Sequence, residues 1–140
     1  MGLFQNLFSK KQTLPAADLS PLITDMHSHL IPGIDDGAKT KEESLELIRE
    51  LHALGYRKLI TTPHIMSDHY KNTPEIINNG LSKVKDALNT LNIDIEMKAA
   101  AEYYIDFEFQ NDIGKKKYLT FGNRYILVEI SFLESPNNLK

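Results

Sequence analysis

The chain has 140 residues, 41% of them hydrophobic and 25% charged, which is typical of one globular domain and unlike a disordered segment. A net charge of −3 provides no basic field for gripping a nucleic-acid backbone, so no nucleic-acid partner is expected. The absence of cysteine excludes disulfides, thiolate metal sites and thiol nucleophiles. Any bound metal must therefore be held by nitrogen and oxygen ligands.

Residues 1–21 are interpreted as an N-terminal appendage. Their apolar residues Leu3, Phe4, Leu7 and Phe8 are spaced for one or two amphipathic turns, but polar residues interrupt them, so they do not form a secretory signal. No apolar run reaches the roughly 18 residues of a transmembrane segment. We expect the appendage to pack on the domain or on a partner, with membrane-surface docking as an alternative, and we expect a cytoplasmic location.

The domain begins with a predicted strand, Leu22–His27, which is a short and mostly apolar run followed by a glycine-containing loop. Thr40 and Glu43 form a Thr-x-x-Glu capping box, which predicts the start of a first helix. Gly55 is a natural end for that helix. Lys58–Thr62 then predicts a second strand.

Thr73 and Pro74 predict the cap and the first turn of a second helix, whose apolar residues recur at helical spacing. Ile93–Ala101 alternates like a strand, and Tyr125–Phe132 predicts a fourth strand after a short helix. Strands that alternate with crossover helices predict an α/β fold with a parallel sheet. Because a closed barrel of such units takes about 250 residues, we expect roughly half a barrel and interpret the chain as a fragment.

Candidate metal ligands stand at the predicted strand ends. His27 ends the first strand, His64 follows the second, Glu102 follows the third and Glu129 lies in the fourth. The carboxyl ends of parallel strands open onto one crevice, so these four side chains should converge. His29 lies two residues after His27, and side chains at that spacing project to the same side of an extended backbone.

Two further candidates, Asp36 and His69, come from loops. Asp36 lies in the glycine-bounded segment Gly33–Gly37, which can fold back toward a metal. Glu129 lies in an apolar run, where a carboxylate is costly unless it is metal-bound or forms a buried salt bridge. His69 is a candidate substrate contact, although loop histidines are often unrelated to function. The predicted metal ligands are His27, His29, Asp36, His64, Glu102 and Glu129.

These residues stand in motifs that resemble a known superfamily. The segments Asp25–His29, Gly33–Gly37, Thr61–His64 and Ala101–Tyr104 are similar to motifs of the PHP (polymerase and histidinol phosphatase) superfamily. The Asp-Asp-Gly and Glu-Tyr-Tyr elements resemble, more narrowly, the bacterial manganese-dependent protein-tyrosine phosphatases of capsule and exopolysaccharide systems. The resemblance runs from about Leu22 to Phe132, and we interpret residues 22–140 as a partial PHP metal-dependent phosphatase domain.

The resemblance implies the N-terminal half of a distorted (β/α)7 PHP barrel with parallel strands. It also implies three divalent ions, with Mn²⁺ as the expected metal, and hydrolysis by metal-activated water without a protein nucleophile. The expected substrate is phosphotyrosine on a protein, in particular a bacterial tyrosine autokinase that controls polysaccharide synthesis. The implied ligands of the three ions are, in order, His27 and His29, then Glu102 and Glu129, then Asp36 and His64, with Glu102 bridging the first two ions.

Several alternatives remain open at this point. The family's later ligands would lie beyond Lys140, so each ion would lack at least one ligand and the chain could be catalytically incomplete. Another PHP phosphoesterase, such as a histidinol phosphatase, or a nuclease would use the same ligands. An amidohydrolase also begins with His-x-His but fits the Asp-Asp-Gly loop poorly. A truncated protein that only binds a partner is the last alternative. An open half-barrel would expose a sheet edge, which predicts self-association into oligomers.

Overall fold

The computed structural model describes residues 18–122 and 124–131. The predicted amphipathic turns at Leu3–Phe8 and the end of the fourth predicted strand, Phe132, lie outside the described residues. No helix in the described part of the chain is both long and apolar enough to cross a membrane. A 3-10 helix at Ser20–Leu22 precedes the first strand.

The described residues form six short strands and three α-helices. The strands are β1 (Thr24–Asp25), β2 (Lys58–Thr61), β3 (His64–Ile65), β4 (Glu96–Ala99), β5 (Glu102–Tyr104) and β6 (Leu127–Glu129). The helices are α1 (Lys41–Ala53), α2 (Pro74–Thr90) and α3 (Phe107–Asp112). All strand pairs are parallel, in the orders β1-β2-β4 and β3-β5-β6, which confirms the predicted α/β class with parallel strands.

The second sheet continues the first, because β3 comes directly after β2 in the chain and β5 directly after β4. Thr61 pairs with Ala99 in the first sheet and His64 pairs with Glu102 in the second, so the register is the same across the gap. The break falls at Pro63, which has no N–H to donate to the ladder. Backbone bonds still cross it, since the Glu102 N–H donates to the Pro63 carbonyl at 3.0 Å.

Several predicted strand boundaries are wrong. Leu22 lies in the 3-10 helix, and β1 stops at Asp25, two residues before His27. His64 and Glu102 follow the ends of β2 and β4, but each also begins a further strand, β3 or β5, which the sequence did not predict. The metal-ligand candidates therefore lie at the junction between the two sheets.

Both predicted helix starts are confirmed. The Thr40 hydroxyl accepts the Glu43 N–H at 3.2 Å, and the Glu43 carboxylate accepts the Lys39 N–H at 2.7 Å. Thr73 caps α2 by accepting the Ile76 N–H at 3.3 Å, with proline at the first helical position. These caps satisfy backbone donors that have no partner within the helix and fix where each helix leaves the sheet.

The core has two apolar clusters. The larger packs α1 and α2 on the first sheet, and its most deeply buried members include Ile48, Leu59, Leu88 and Met97. The second cluster joins Ile31, Ile77, Ala101 and Tyr103 beneath the second sheet. The clusters hold the two sheets and the loop after β1 against α2, which positions the polar residues at the sheet junction.

Candidate metal centre

The segment after β1 is fastened to the end of β2. The Thr61 hydroxyl accepts the Leu30 N–H at 3.0 Å and donates to the Ser28 carbonyl at 2.9 Å. The Thr62 N–H also donates to the Ser28 carbonyl, at 2.7 Å. Because Thr61 and Thr62 are fully buried, these bonds are shielded from water and hold the histidine-bearing segment in place.

His27 and His29 converge on Glu102. Their rings meet edge to face with centroids 5.3 Å apart. His27 Nδ1 lies 2.7 Å from the Thr62 hydroxyl, and His29 Nδ1 lies 2.8 Å from Asp35 Oδ2. The Nε2 atoms of His27 and His29 face the two oxygens of Glu102, at 3.9 and 3.4 Å.

His64 joins the same cluster from β3. Its Nδ1 atom lies 3.4 Å from Glu102 Oε2 and 3.5 Å from Glu129 Oε2, and its Nε2 atom lies 3.5 Å from Asp36 Oδ1. His64 Nδ1 is buried and has no hydrogen-bond partner among the described residues. Tyr70 stacks on the His64 ring with centroids 5.4 Å apart.

The six predicted side chains therefore lie together, in three overlapping groups whose ligand atoms are within 4.8 Å of one another. These groups are His27, His29 and Glu102; His29, Asp36 and His64; and His64, Glu102 and Glu129. Most of the nitrogen–oxygen separations are too long for good hydrogen bonds. Two ligand atoms that each lie about 2.1 Å from one ion are roughly 3.4 Å apart at a tetrahedral angle, so the cluster fits a divalent metal.

The chemistry of the donor set supports the same fit. Imidazole nitrogens and carboxylate oxygens suit zinc, manganese and iron. A buried imidazole nitrogen without a hydrogen-bond partner, as at His64, is costly unless something else occupies its lone pair. A divalent ion between His64, Glu102 and Glu129 would satisfy it. The assignment of the six residues as metal ligands remains a prediction, which we develop below as a proposal.

Charge in the cluster shifts the pKa of two groups. Burial alone would lower the pKa of His29, but the hydrogen bond to Asp35 and the charges of Asp35, Glu102 and Asp36 raise it above its ordinary value. Burial would likewise raise the pKa of Asp35, yet hydrogen bonds from His29 and from two backbone N–H groups hold it below its ordinary value. Asp35 is therefore ionised at neutral pH.

Asp35 is one of the residues of this site that the sequence analysis missed. The Asp-Asp pair was visible, but sequence alone does not show which carboxylate faces the cluster and which faces the protein. In the structure the Asp36 side chain is 59% exposed and approaches His29 and His64, whereas the Asp35 side chain is fully buried. Thr62 and Tyr70, which contact His27 and His64, were also missed.

The remaining candidate, His69, lies beside the cluster. His69 is exposed, and its ring contacts Tyr70 edge to face at 6.5 Å, while Tyr70 in turn stacks on His64. His69 thus lies outside the cluster and, among the described residues, contacts it only through Tyr70. A substrate contact at His69 stays a prediction.

Comparison with known proteins identifies relatives of this chain. Residues 23–140 match the family described as Capsular polysaccharide synthesis, CpsB/CapC. The chain is 31% identical to tyrosine-protein phosphatase YwqE of Bacillus subtilis over 113 residues, which are 80% of this chain and 44% of YwqE. It is 30% identical to tyrosine-protein phosphatase CpsB of Streptococcus pneumoniae over 108 residues, which are 76% of this chain and 44% of CpsB.

The fold agrees with a solved structure. Crystal structures of YwqE from Bacillus subtilis and CpsB from Streptococcus pneumoniae are described as those of unique metal-dependent tyrosine phosphatases. One of them matches this chain with a TM-score of 0.70 and 31% identity, covering 78% of this chain and 44% of the solved chain. This chain thus spans less than half the length of these relatives. The match over residues 23–140 confirms the resemblance found in the sequence, and the chain belongs to the CpsB/CapC capsular polysaccharide synthesis family.

Proposed function

We propose that the protein is a metal-dependent protein-tyrosine phosphatase and that this chain carries six of its metal ligands. The observation that carries the proposal is the convergence of three histidines and three carboxylates at one junction of parallel strands. Belonging to the CpsB/CapC family, with tyrosine-protein phosphatases among its relatives, supports phosphotyrosine as the substrate.

Each of the three groups would hold one ion. His27, His29 and Glu102 would hold the first, and Glu102 with Glu129 and His64 the second. Asp36 and His64 would hold the third. Because a neutral imidazole offers one lone pair, His64 would serve either the second ion through Nδ1 or the third through Nε2. Bound divalent ions would supply Lewis acidity and a low-pKa water for attack on phosphorus. The ligand groups share residues, so a substitution of a shared residue would affect more than one ion.

The chain's own residues set the electrostatics and the access of the site. The carboxylates of Asp36, Glu102 and Glu129 would repel a phosphate dianion. Substrate binding would therefore depend on the positive charge of the divalent ions that these carboxylates would bind. The side chains of His27 and Asp36 are 53% and 59% exposed, while those of His64 and Glu102 are 12% and 11% exposed. The cluster is therefore open to a protein substrate on one side and protected on the other.

The identity and number of the ions, the type of barrel and the substrate protein are parts of the same proposal. Mn²⁺ is the metal that the sequence resemblance favours, and three ions are the number that it implies. The parallel strands and the strand-junction site support the N-terminal half of a distorted (β/α)7 PHP barrel. The family's role in capsular polysaccharide synthesis supports a tyrosine autokinase of that system as the substrate, acting together with the phosphatase in the cytoplasm.

The test is hydrolysis of a phosphotyrosine peptide by this chain with and without added Mn²⁺. We expect Mn²⁺-dependent release of phosphate that is lost in the His27→Ala, His29→Ala double variant. The matched control is His52→Ala, because His52 lies in α1 and outside the ligand groups. A phosphoserine peptide of the same sequence tests the specificity. Equal hydrolysis by the double variant and the control would contradict the proposal.

A metal-binding chain without turnover is the competing function. It is favoured by the chain's span, which is less than half the length of its relatives. The two functions are separated by measuring Mn²⁺ binding on the same samples. Binding without hydrolysis would support the competing function for this chain. The same peptide assay on a protein as long as the relatives would then test whether further ligands restore turnover.

A further inference from the structure

Asp35 occupies an unusual position next to the metal cluster. Its side chain is fully buried, and both carboxylate oxygens accept hydrogen bonds. Oδ1 accepts the Gly37 N–H at 3.0 Å, and Oδ2 accepts the His64 N–H at 3.1 Å. Oδ2 also lies 2.8 Å from His29 Nδ1. One carboxylate thus connects the segment after β1, the Asp36 loop and the first residue of β3.

These contacts make Asp35 unsuitable as a ligand and suitable as a support for one. Its oxygens are occupied by the Gly37 and His64 backbone donors, and it belongs to none of the three ligand groups. The adjacent Asp36 is exposed and lies in the ligand cluster. The two neighbouring aspartates therefore have separate roles, one facing the cluster and one holding it.

The contact with His29 also determines where that ring carries its proton. Both Asp35 oxygens accept backbone N–H groups, so the carboxylate faces His29 as an acceptor and the His29 nitrogen that it contacts is Nδ1–H. In the neutral ring this leaves the lone pair on Nε2, the atom that faces Glu102 at 3.4 Å. The Thr62 hydroxyl that contacts His27 can donate or accept, so it does not impose a tautomer in the same way.

We propose that Asp35 is a positioning residue that fixes His29 as the Nδ1–H tautomer and presents its Nε2 lone pair to a metal ion. The inference rests on the proposed function of the cluster as a metal centre and adds a role for a residue outside the ligand set. The same carboxylate fixes the His64 backbone, so that one side chain orients two ligands. Carboxylates that orient metal-bound histidines typically change metal affinity by roughly 10- to 100-fold when they are removed.

The direct test is the tautomer of His29 in the metal-free chain. Long-range ¹H–¹⁵N spectra of the imidazole rings distinguish Nδ1–H from Nε2–H at mildly alkaline pH, where neutral rings predominate. The chain has five histidines, so the His29→Gln variant identifies the His29 signals. We expect Nδ1–H in the wild type. Nε2–H in the wild type would overturn the proposal, and because no metal or substrate is present, this result is independent of the phosphatase assay.

The Asp35→Asn variant tests the consequence. An asparagine has one acceptor oxygen for three donors, so its amide group would face a backbone N–H or donate to His29 Nδ1 and reverse the tautomer. We expect a shift of His29 toward Nε2–H and a roughly 10- to 100-fold weaker Kd for Mn²⁺ by calorimetry. The thermal unfolding midpoint of the metal-free variant shows whether it folds, and the wild-type spectrum remains decisive if it does not.

The matched control is Asp106→Asn. Asp106 also accepts two backbone N–H groups, from Ser67 at 3.1 Å and Phe109 at 2.7 Å, but it contacts no histidine among its described hydrogen bonds. The control should keep the wild-type tautomer and Mn²⁺ affinity. An equal loss of affinity in both variants would show that Asp35 has only a general structural role.

Discussion

Single buried polar residues hold the loop that carries the histidines. The fully buried Ser44 of α1 donates its hydroxyl to the Leu30 carbonyl at 2.5 Å. Leu30 itself follows His29 and is held on its N–H side by Thr61 at 3.0 Å. The first helix thus fixes the segment after β1 from one side while β2 fixes it from the other.

Ser44→Ala should lower the free energy of unfolding by about 1–3 kcal/mol, because the buried Leu30 carbonyl would lose its donor. Chemical denaturation of the metal-free chain measures the change. Ser82→Ala is the control, since Ser82 is exposed on α2 and its loss should change stability by no more than about 0.5 kcal/mol. Equal effects of the two substitutions would show that the Ser44 bond contributes little.

Gly37→Ala should weaken Mn²⁺ binding and lower stability by about 1–3 kcal/mol. A Cβ at Gly37 would lie 2.2 Å from the His29 carbonyl oxygen and 2.3 Å from the His29 Cβ, so the Asp36 loop would have to move. Calorimetric titration and denaturation measure the two effects. The control Gly114→Ala has no atom within 4 Å of its Cβ but a φ of +78°, so it should lose stability and keep the Mn²⁺ affinity. Unchanged affinity in Gly37→Ala would contradict this account of the loop.

At this scale the sequence identified residue types better than orientations. All six predicted ligands lie in the cluster, because strand order and His-x-His spacing constrain where their backbones go. The separate roles of Asp35 and Asp36 were not predictable, since they depend on a loop turn that buries one carboxylate and exposes the next. The stacking of Tyr70 on His64 likewise depends on how the loop after β3 returns.

Among the elements, α2 shows how tightly the helices pack on the loop after β1. Gly80 lies in the middle of α2, where a glycine normally reduces helix stability. Its position is explained by Ile31, which is 1% exposed and whose Cγ2 would lie 2.3 Å from a Cβ at Gly80. The glycine lets the helix approach the loop that leads to the metal cluster.

Gly80→Ala should therefore destabilise the chain by about 1–3 kcal/mol, because overpacking against Ile31 outweighs the gain of up to about 1 kcal/mol in helix propensity. Thermal and chemical unfolding measure the difference. Asn79→Ala, at the adjacent exposed position, should instead stabilise the same helix slightly. A rise in stability for Gly80→Ala would contradict the close packing of α2 on the loop.

Helices were predicted more accurately than strands. Capping residues such as Thr40 and Thr73 act locally, so the sequence contains most of the information that sets a helix start. Strand ends depend on partners distant in sequence. The break at Pro63 is matched by a break at Ala100 and Ala101, because the two segments pair in parallel. Nothing in the sequence around Ala100 and Ala101 predicts a break there.

At the scale of the molecule, each described sheet has two edge strands with a neighbour on one side only, β1 and β4 in the first sheet and β3 and β6 in the second. Apolar side chains around β6 are exposed, with Ile126 at 39%, Val128 at 42% and Ile130 at 44%. Exposed edges of this kind favour pairing with another chain. The predicted self-association therefore has a specific surface.

Sedimentation velocity should show species larger than the monomer, increasing with protein concentration. Val128→Lys should reduce this association, because a charge at the edge opposes strand pairing. The control is Leu91→Lys, whose wild-type residue is 43% exposed but lies at the end of α2 and outside β6. A monomer at every concentration, or equal effects of both substitutions, would contradict the assignment of this edge.

The central claim, that the cluster at the strand junction binds divalent metal, is tested most directly by calorimetric titration of Mn²⁺ into wild type and Glu102→Gln. Glu102 belongs to two of the three ligand groups, so its loss should weaken binding more than the roughly 10- to 100-fold typical of a residue that only orients a ligand. Glu96→Gln is the control, because Glu96 pairs at the surface with Lys58 and Lys98. We expect saturable binding by the wild type and the Glu96→Gln control, and abolished or severely weakened binding by Glu102→Gln. A folded wild-type chain that does not bind Mn²⁺, or equal binding by wild type and Glu102→Gln, would contradict it.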